Sequence, residues 1–189
     1  MTDNFLQDID SSWTLFLDRD GVINKRVFGG YITSEEEFEF LPGVLDSIKF
    51  FTNYFNRIII ITNQQGVGKG IMTESDLEKL HDFMLAQIVL EGGCIDSIYY
   101  CTELVSTRDS CRKPSDKMAM KAVADFPDII LEKSIMIGDS LSDIEFGINA
   151  GMKTVFITSS GNDYKAEKLA NINSESLKDF KQILETETK

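Results

Sequence analysis

Residues 57–62 constrain the fold most, because this run holds four consecutive isoleucines, Ile58 to Ile61. Successive side chains of a strand point to opposite faces, so such a strand must be buried on both sides. Strands of that kind belong to parallel sheets that helices cover. Short apolar runs alternate with helical patterns along the rest of the chain. The sequence therefore predicts an α/β fold: a doubly wound, Rossmann-like, mostly parallel sheet with helices on both faces.

The other elements follow from the same patterns. Further strands are predicted at 13–17, 97–100, 134–137 and 154–157. Helices are predicted from Pro42 to about 55, from Thr73 to about 91, over 116–124, over 143–150 with Gly151 as the C-terminal cap, and near 177–184. The predicted organisation is an N-terminal arm (1–12), one core domain (13–160) and a helical tail (161–189).

Composition excludes several classes of protein. With 42% hydrophobic residues the chain can form a core, and its net charge of −12 argues against a partner such as duplex nucleic acid. No stretch approaches the ~20 apolar residues of a membrane span. Residues 1–12 carry acids and no Lys or Arg, so we expect no signal peptide and a cytoplasmic protein. Three cysteines, an odd number, do not suggest a disulfide framework.

Polar and charged residues follow the predicted strands at four places. Asp18 and Asp20 follow the first strand, where two carboxylates around a turn could share a metal ion, although a calcium loop or a plain turn looks the same. Thr62 ends the isoleucine strand and could hold phosphate oxygens, or be an ordinary polar strand end. In open α/β sheets, ligands bind at the edge where strands reach their carboxyl ends.

The two later places add cations and acids. Arg112 and Lys113 could neutralise a phosphoryl group, or form a surface basic pair. Asp139 ends the fourth strand before Ser140 and could complete a magnesium site. Asp143 is either a carboxylate that supports that site or only a helix N-cap.

Together these places carry a family resemblance. The chain resembles the haloacid dehalogenase-like phosphatases, whose four motifs match Asp18-Arg19-Asp20-Gly21-Val22, Thr62, Lys113, and Asp139 with Asp143. Further segments resemble the subfamily that contains heptose bisphosphate phosphatases and histidinol-phosphate phosphatases. Those segments include Thr62-Asn63-Gln64-Gln65-Gly66, Cys111-Arg112-Lys113-Pro114 and Gly138-Asp139-Ser140.

The resemblance implies a mechanism and a cofactor. Asp18 would take the phosphoryl group, and Asp20 would protonate the leaving oxygen and then activate water. Mg²⁺ would be held by Asp18, the backbone carbonyl of Asp20, and Asp139, while Thr62, Arg112 and Lys113 steady the phosphoryl group. The segments between motifs leave no room for a separate cap domain, so short loops would contact the substrate. Candidate substrate contacts are Arg26, Phe28, Gly29, Asn63, Gln64, Gln65, Lys69 and Arg112.

One loop departs from the subfamily pattern. The bisphosphate phosphatases of this group usually carry a structural zinc loop, of which Cys101 and Cys111 match two ligands. Glu103 and Asp109 stand at the other two positions. Structural zinc prefers four nitrogen or sulfur donors, so we expect no zinc.

Two other kinds of site are disfavoured by the sequence. Gly66 to Gly70 lacks the residues of a nucleotide-binding P-loop, and the only histidine, His81, lies in a predicted helix away from every strand end. A phospho-aspartate receiver of signalling systems uses a similar acidic cluster, but Asp20 argues against it because it can drive the phosphate off. The resemblance favours an enzyme of carbohydrate metabolism that acts on a heptose bisphosphate, with histidinol phosphate or another sugar phosphate as alternatives. A monomer is the default expectation.

Overall fold

A computed structural model describes residues 5–160 and 163–187. It contains one six-stranded sheet with the strand order β3-β2-β1-β4-β5-β6, and every neighbouring pair is parallel. The strands are β1 (Thr14–Leu17), β2 (Arg57–Asn63), β3 (Ser97–Cys101), β4 (Ser134–Gly138), β5 (Lys153–Ile157) and β6 (Ile172–Ser174). The helices are α1 (Val44–Tyr54), α2 (Gln65–Gly68), α3 (Glu74–Leu90), α4 (Lys117–Asp125), α5 (Leu141–Asn149), α6 (Tyr164–Leu169) and α7 (Leu177–Glu187).

The isoleucine run lies near the middle of the sheet and is buried on both faces, as its sequence predicts. Ile58 and Ile60 face a core formed with α1, α3 and α7, whereas Ile59 and Ile61 face a core formed with α4 and α5. This alternation has the period of two that a strand imposes. The doubly wound α/β fold is thus confirmed.

Helix ends follow the local signals in the sequence. α3 begins at the capping box of Thr73 and Asp76, in which each side chain bonds the other residue's backbone N–H. Gly151 follows α5 in the left-handed conformation expected of a C-terminal cap. α1 begins at Val44, so Pro42 precedes the helix instead of forming its first turn.

The terminal segments pack on the sheet. Phe5 and Leu6 are buried in a short 3-10 helix, and α7 packs against α1. The tail also contributes β6, which pairs with β5 and was not predicted. The division into arm, core and tail stays a prediction, and residues 1–4, 161, 162, 188 and 189 of the arm and tail lie outside the described residues.

No separate cap domain interrupts the described ranges. Between β1 and α1 the chain forms turns and a single 3-10 turn at Glu35–Glu37, and between β2 and β3 it forms only α2 and α3. None of the helices in these ranges has the length and apolar content that a membrane span requires.

Candidate active site

A pocket of about 290 Å³ lies at the carboxyl ends of the central strands. The four predicted motif positions reach it together with residues 26–32 of the loop after β1. The predicted residues that line it are Asp18, Asp20, Arg26, Phe28, Gly29, Thr62, Asn63, Gln64, Gln65, Lys69, Arg112, Lys113, Asp139, Ser140 and Asp143. The fold therefore brings every predicted site residue to one place.

Lys113 joins the motifs at the bottom of the pocket. Its ammonium group lies 2.6 Å from a carboxylate oxygen of Asp18, 2.6 Å from one of Asp143, and 2.7 Å from the carbonyl oxygen of Ile61. Burial alone would lower the pKa of Lys113, but the charges of Asp143 and Asp18 raise it. The side chain is therefore a permanent buried cation between two acids.

Three carboxylates form a buried cluster around this cation. Oxygens of Asp18, Asp139 and Asp143 all lie within 4.8 Å of one another. Burial raises the pKa of Asp18 to about 8, with further contributions from Asp143, Asp139 and Asp20 against the opposing charge of Lys113. Burial and the charge of Asp143 raise the pKa of Asp139 to about 6, against the opposing charge of Arg26.

This cluster suits a hard divalent cation. Mg²⁺ prefers oxygen ligands, and a cation among three crowded carboxylates would relieve the repulsion that raises their pKa values. Asp18 and Asp139, which were predicted as ligands, belong to the cluster, and their side chains face each other. The donor set therefore fits the predicted cofactor.

Asp143 is the third residue of α5 and not its N-cap, which is Ser140, so the N-cap alternative was wrong. Its role as a carboxylate that supports the metal site stays a prediction. One carboxylate oxygen accepts hydrogen bonds from the backbone N–H and hydroxyl of Ser140, at 3.0 and 2.6 Å, and so completes the capping box of α5. The other oxygen binds Lys113. Gly138 permits this approach, because a Cβ atom on residue 138 would lie only 2.1 Å from Cβ of Asp143.

Asp20 has a different environment from Asp18. Arg19 donates to both of its carboxylate oxygens at 3.0 and 2.9 Å, and Asn24 and Gln64 donate at 2.9 and 2.8 Å. Burial would raise the pKa of Asp20, but the charge of Arg19 and these hydrogen bonds lower it. The pKa values of Asp18 and Asp20 are thus shifted in opposite directions. Such a pair is often found where two acids have separate catalytic tasks.

Residues 62–64 mostly bind other parts of the site. Gln64 donates to Thr62 at 2.9 Å as well as to Asp20. The side-chain oxygen of Asn63 accepts from the backbone N–H of Lys113 at 3.0 Å, and its amide group donates to the Lys113 carbonyl at 3.4 Å. Direct substrate contact by Asn63 and Gln64 stays a prediction.

The remaining candidate contacts lie at the mouth of the pocket. Arg26 forms an ion pair with Asp139 at 3.0 Å and lies 5.7 Å from the exposed ring of Phe28. Lys69 lies 5.3 Å from the ring of Tyr31, whose hydroxyl donates to Gln65 at 3.4 Å. Gly29 lies in a left-handed turn, and Arg112 lines the wall beside Lys113.

The cysteine prediction was wrong in one respect. Cys101 and Cys111 form a disulfide bond that closes the loop between β3 and Lys113, while Cys94 is free. Glu103 lies with the two sulfurs and accepts a hydrogen bond from the N–H of Cys111 at 2.9 Å. Asp109, the other supposed ligand, is exposed and pairs with Lys117. The expectation of no zinc stays a prediction.

Sequence reasoning missed two residues near the site. His81 was expected to lie away from every strand end, but its Nε2 atom is 3.1 Å from the Arg19 guanidinium. Arg19 was quoted only as the variable residue of its motif, although its side chain is buried. An arginine between two aspartates is visible in the sequence, but its burial is not. Its histidine partner lies 62 residues away, and no spacing rule links the two.

Comparisons with known proteins agree with this geometry. A family model described as HAD-hyrolase-like matches residues 110–181. The chain is 40% identical over 137 residues to the D-glycero-alpha-D-manno-heptose-1,7-bisphosphate 7-phosphatase of Mycobacterium tuberculosis (strain ATCC 25618 / H37Rv), covering 72% of each chain. It is 41% identical over 143 residues to the enzyme of the same name from Campylobacter jejuni, covering 76% of this chain and 80% of that one.

A solved structure extends the similarity to the fold. The D,D-heptose 1,7-bisphosphate phosphatase of B. bronchiseptica, complexed with magnesium and phosphate, superposes with a TM-score of 0.83 at 27% identity. The match covers 93% of this chain and 99% of that one.

Proposed function

The chain belongs to the haloacid dehalogenase-like hydrolases and is a phosphatase, and from this we propose that it removes the C7 phosphate of a D-glycero-D-manno-heptose 1,7-bisphosphate. The observation that supports this most directly is the meeting of Asp18, Asp139 and Asp143 around Lys113 in one pocket. The names of the relatives support a heptose bisphosphate as the substrate.

Asp18 and Asp139 would hold Mg²⁺, together with the backbone carbonyl of Asp20 that the family resemblance implies. When bound, the ion supplies positive charge that neutralises the carboxylates and the phosphate oxygens. The magnesium in the related B. bronchiseptica structure supports this assignment.

In the first step, a carboxylate oxygen of Asp18 attacks the phosphorus atom. The bond between phosphorus and the C7 oxygen breaks, and Asp20 gives its proton to that oxygen. The pKa of Asp20 is lowered in the free protein, so the proton must be taken up as the phosphate dianion arrives, since nearby negative charge raises a carboxyl pKa. Lys113, 2.6 Å from Asp18, favours the ionised form that attacks, against the burial that raises the pKa of Asp18.

In the second step, a water molecule attacks the phosphorus of the aspartyl-phosphate. Asp20, now ionised, takes a proton from this water, and the bond between phosphorus and the Asp18 oxygen breaks. Inorganic phosphate leaves, and Asp20 returns its proton to solvent, which balances the proton taken up before the first step. Both aspartates are then in their starting state. The hydrogen bonds that lower the pKa of Asp20 favour the ionised form that this step needs.

Cations at the pocket mouth would bind the second phosphate. Lys113 and Arg19 bind aspartates deep in the site, and Arg26 pairs with Asp139 nearer the mouth. Lys69 and Arg112 also line the outer part of the pocket. Arginine matches phosphate geometry with paired hydrogen bonds. A bisphosphate therefore suits this pocket better than a substrate with one phosphate and an amine, such as histidinol phosphate.

A phosphate-release assay tests the function. The purified protein is given both C1 anomers of the heptose bisphosphate, histidinol phosphate and simple sugar phosphates, with Mg²⁺ or with EDTA. We expect many turnovers, highest kcat/KM for a heptose bisphosphate, and none with EDTA. Asp18→Asn should abolish release while the protein still folds and unfolds in one cooperative transition. Release of one equivalent only would favour the receiver, and a preference for histidinol phosphate would contradict the substrate.

Two further proposals concern the state of the protein. We propose a monomer, as the default, and a cytoplasmic location, as expected from the lack of a signal peptide pattern in residues 1–12. The disulfide bond between Cys101 and Cys111 is unusual for that compartment, so its redox state in cells bears directly on the proposed location.

A further inference from the structure

Arg19 is a charged side chain with almost no access to solvent. It is 1% exposed, yet its guanidinium lies beside Asp20, which reaches the pocket. One terminal nitrogen donates to both carboxylate oxygens of Asp20, and the other lies 3.1 Å from Nε2 of His81. Arg19 therefore links the proposed proton donor to a residue on α3.

His81 must accept the hydrogen bond from Arg19. A guanidinium has donors only, so Nε2 must carry the lone pair and the ring must be neutral. Burial and the charge of Arg19 lower the pKa of His81 to about 3, which agrees with a neutral ring. The ring is 5% exposed and tilts against Tyr100 at 5.6 Å, while the Tyr100 hydroxyl binds Glu74 at 3.0 Å.

The chain Asp20–Arg19–His81 fixes the direction of the guanidinium. Nε of Arg19 has no hydrogen-bond partner within the described residues, so the two terminal nitrogens hold the group alone. Without an acceptor at residue 81, one of them would be buried and unsatisfied, and the guanidinium would be free to turn away from Asp20. Asp20 would then lose two of its four hydrogen bonds.

We propose that His81 is a positioning residue for the phosphatase reaction, which acts through Arg19 to hold Asp20 where it can protonate the leaving oxygen. This inference rests on the proposed role of Asp20. His81 is not among the residues that line the pocket.

The test compares substrates that differ in their need for a proton. The C7 alkoxide of a sugar phosphate needs a proton to leave, whereas 4-nitrophenolate leaves readily without one. kcat/KM reports the steps up to loss of the leaving group, so it isolates the contribution of Asp20 as an acid. Asp20→Asn gives the reference ratio between the two substrates.

His81→Leu removes the acceptor, and His81→Gln keeps an acceptor near the position of Nε2. We expect His81→Leu to lower kcat/KM about 10-fold or more for the sugar bisphosphate and less than about 3-fold for 4-nitrophenyl phosphate. Asp20→Asn should change the ratio between the two substrates in the same direction. His81→Gln should stay within about 3-fold of the wild type on both. If the leucine variant does not fold, His81→Asn replaces it, because its shorter side chain cannot reach Arg19.

Equal losses on both substrates, or no loss, in a folded His81→Leu variant would overturn the positioning role. Such a result would leave the proposed function intact if the wild type turns over and Asp18→Asn does not. A wild type that releases phosphate from neither substrate would instead refute the proposed function itself.

Discussion

Replacing Lys113 with methionine tests the electrostatic account of the site. The substitution keeps most of the aliphatic side chain but removes a buried charge that binds Asp18 and Asp143 at 2.6 Å each. Breaking a buried ion pair by removing one partner costs about 3–5 kcal/mol, because the remaining charges are left uncompensated. A chain of this size changes its melting temperature by roughly 2–4 °C per kcal/mol, so we expect a fall of about 6–20 °C.

The stability that Lys113→Met loses should increase as the pH rises. The folded-state pKa of Asp18 is raised from 3.8 to about 8, so the folded protein binds a proton more tightly than the unfolded chain does. Stability of the metal-free protein therefore falls as pH rises between these two values. Without Lys113 nothing opposes the burial of the Asp18 charge. We expect Lys113→Met to lose about 1–2 kcal/mol more at about pH 9 than at about pH 5, because Asp18 of the wild type ionises only above its pKa of about 8.

Urea unfolding in EDTA at the two pH values measures this difference. Lys117→Met is the matched control, because Lys117 is a half-exposed lysine four residues further on whose partner, Asp109, is exposed. The control should change stability far less at either pH. A Lys113→Met variant that loses the same free energy of unfolding at both pH values would refute this reasoning, because the charge of Asp18 would then not destabilise the folded protein.

Three other perturbations test neighbouring parts of the site. Mg²⁺ should raise the melting temperature more at about pH 8 than at about pH 5, because protons on Asp18 and Asp139 compete with the ion. The pKa values of these two groups are about 8 and about 6. An equal rise at both pH values in differential scanning fluorimetry would argue against these ligands. Gly138→Ala should lower both stability, by about 2 kcal/mol or more in urea unfolding, and phosphate release, because the new Cβ lies 2.1 Å from that of Asp143; near-normal values for both would contradict the close approach. Reducing the disulfide should lower the free energy of unfolding by about 2–3 kcal/mol, since the bond closes a loop over a sequence separation of 10. Urea unfolding with and without reductant measures this, and mass spectrometry counts the free thiols. A double variant, Cys101→Ser with Cys111→Ser, that is as stable as the wild type would refute the prediction.

Local patterns predicted much of the fold. The isoleucine strand and the capping box of α3 involve residues close in sequence, so their signals survive in any single chain. β6 escaped prediction because Ile172–Ser174 has only three residues and no apolar run, and it is a strand only because β5 provides an edge to pair with. α2 was not predicted, because its sequence, QGVG, has little helix propensity of its own.

The site was predicted to the extent that it depends on strand ends. Parallel strands place their carboxyl ends at one edge, so Asp18, Thr62 and Asp139 could be brought together before any coordinates were known. Contacts between a strand end and a distant helix face follow no such rule, which is why the hydrogen bond between Arg19 and His81 was missed. The pairing of Cys101 with Cys111 was missed for a related reason, since it depends on the path of the loop and not on cysteine count.

The position of β1 has a consequence for motion at the site. β1 is hydrogen-bonded to β2 on one side and β4 on the other, and the N–H of Asp18 continues this pairing to the Ile137 carbonyl at 2.9 Å. Central strands open least often, so the amide of Asp18 should exchange with deuterium among the slowest in the chain, whereas amides of residues 26–32 should exchange quickly. The residue that we propose accepts the phosphoryl group is therefore held in a fixed position, and the sugar and the surface loops must adjust to it.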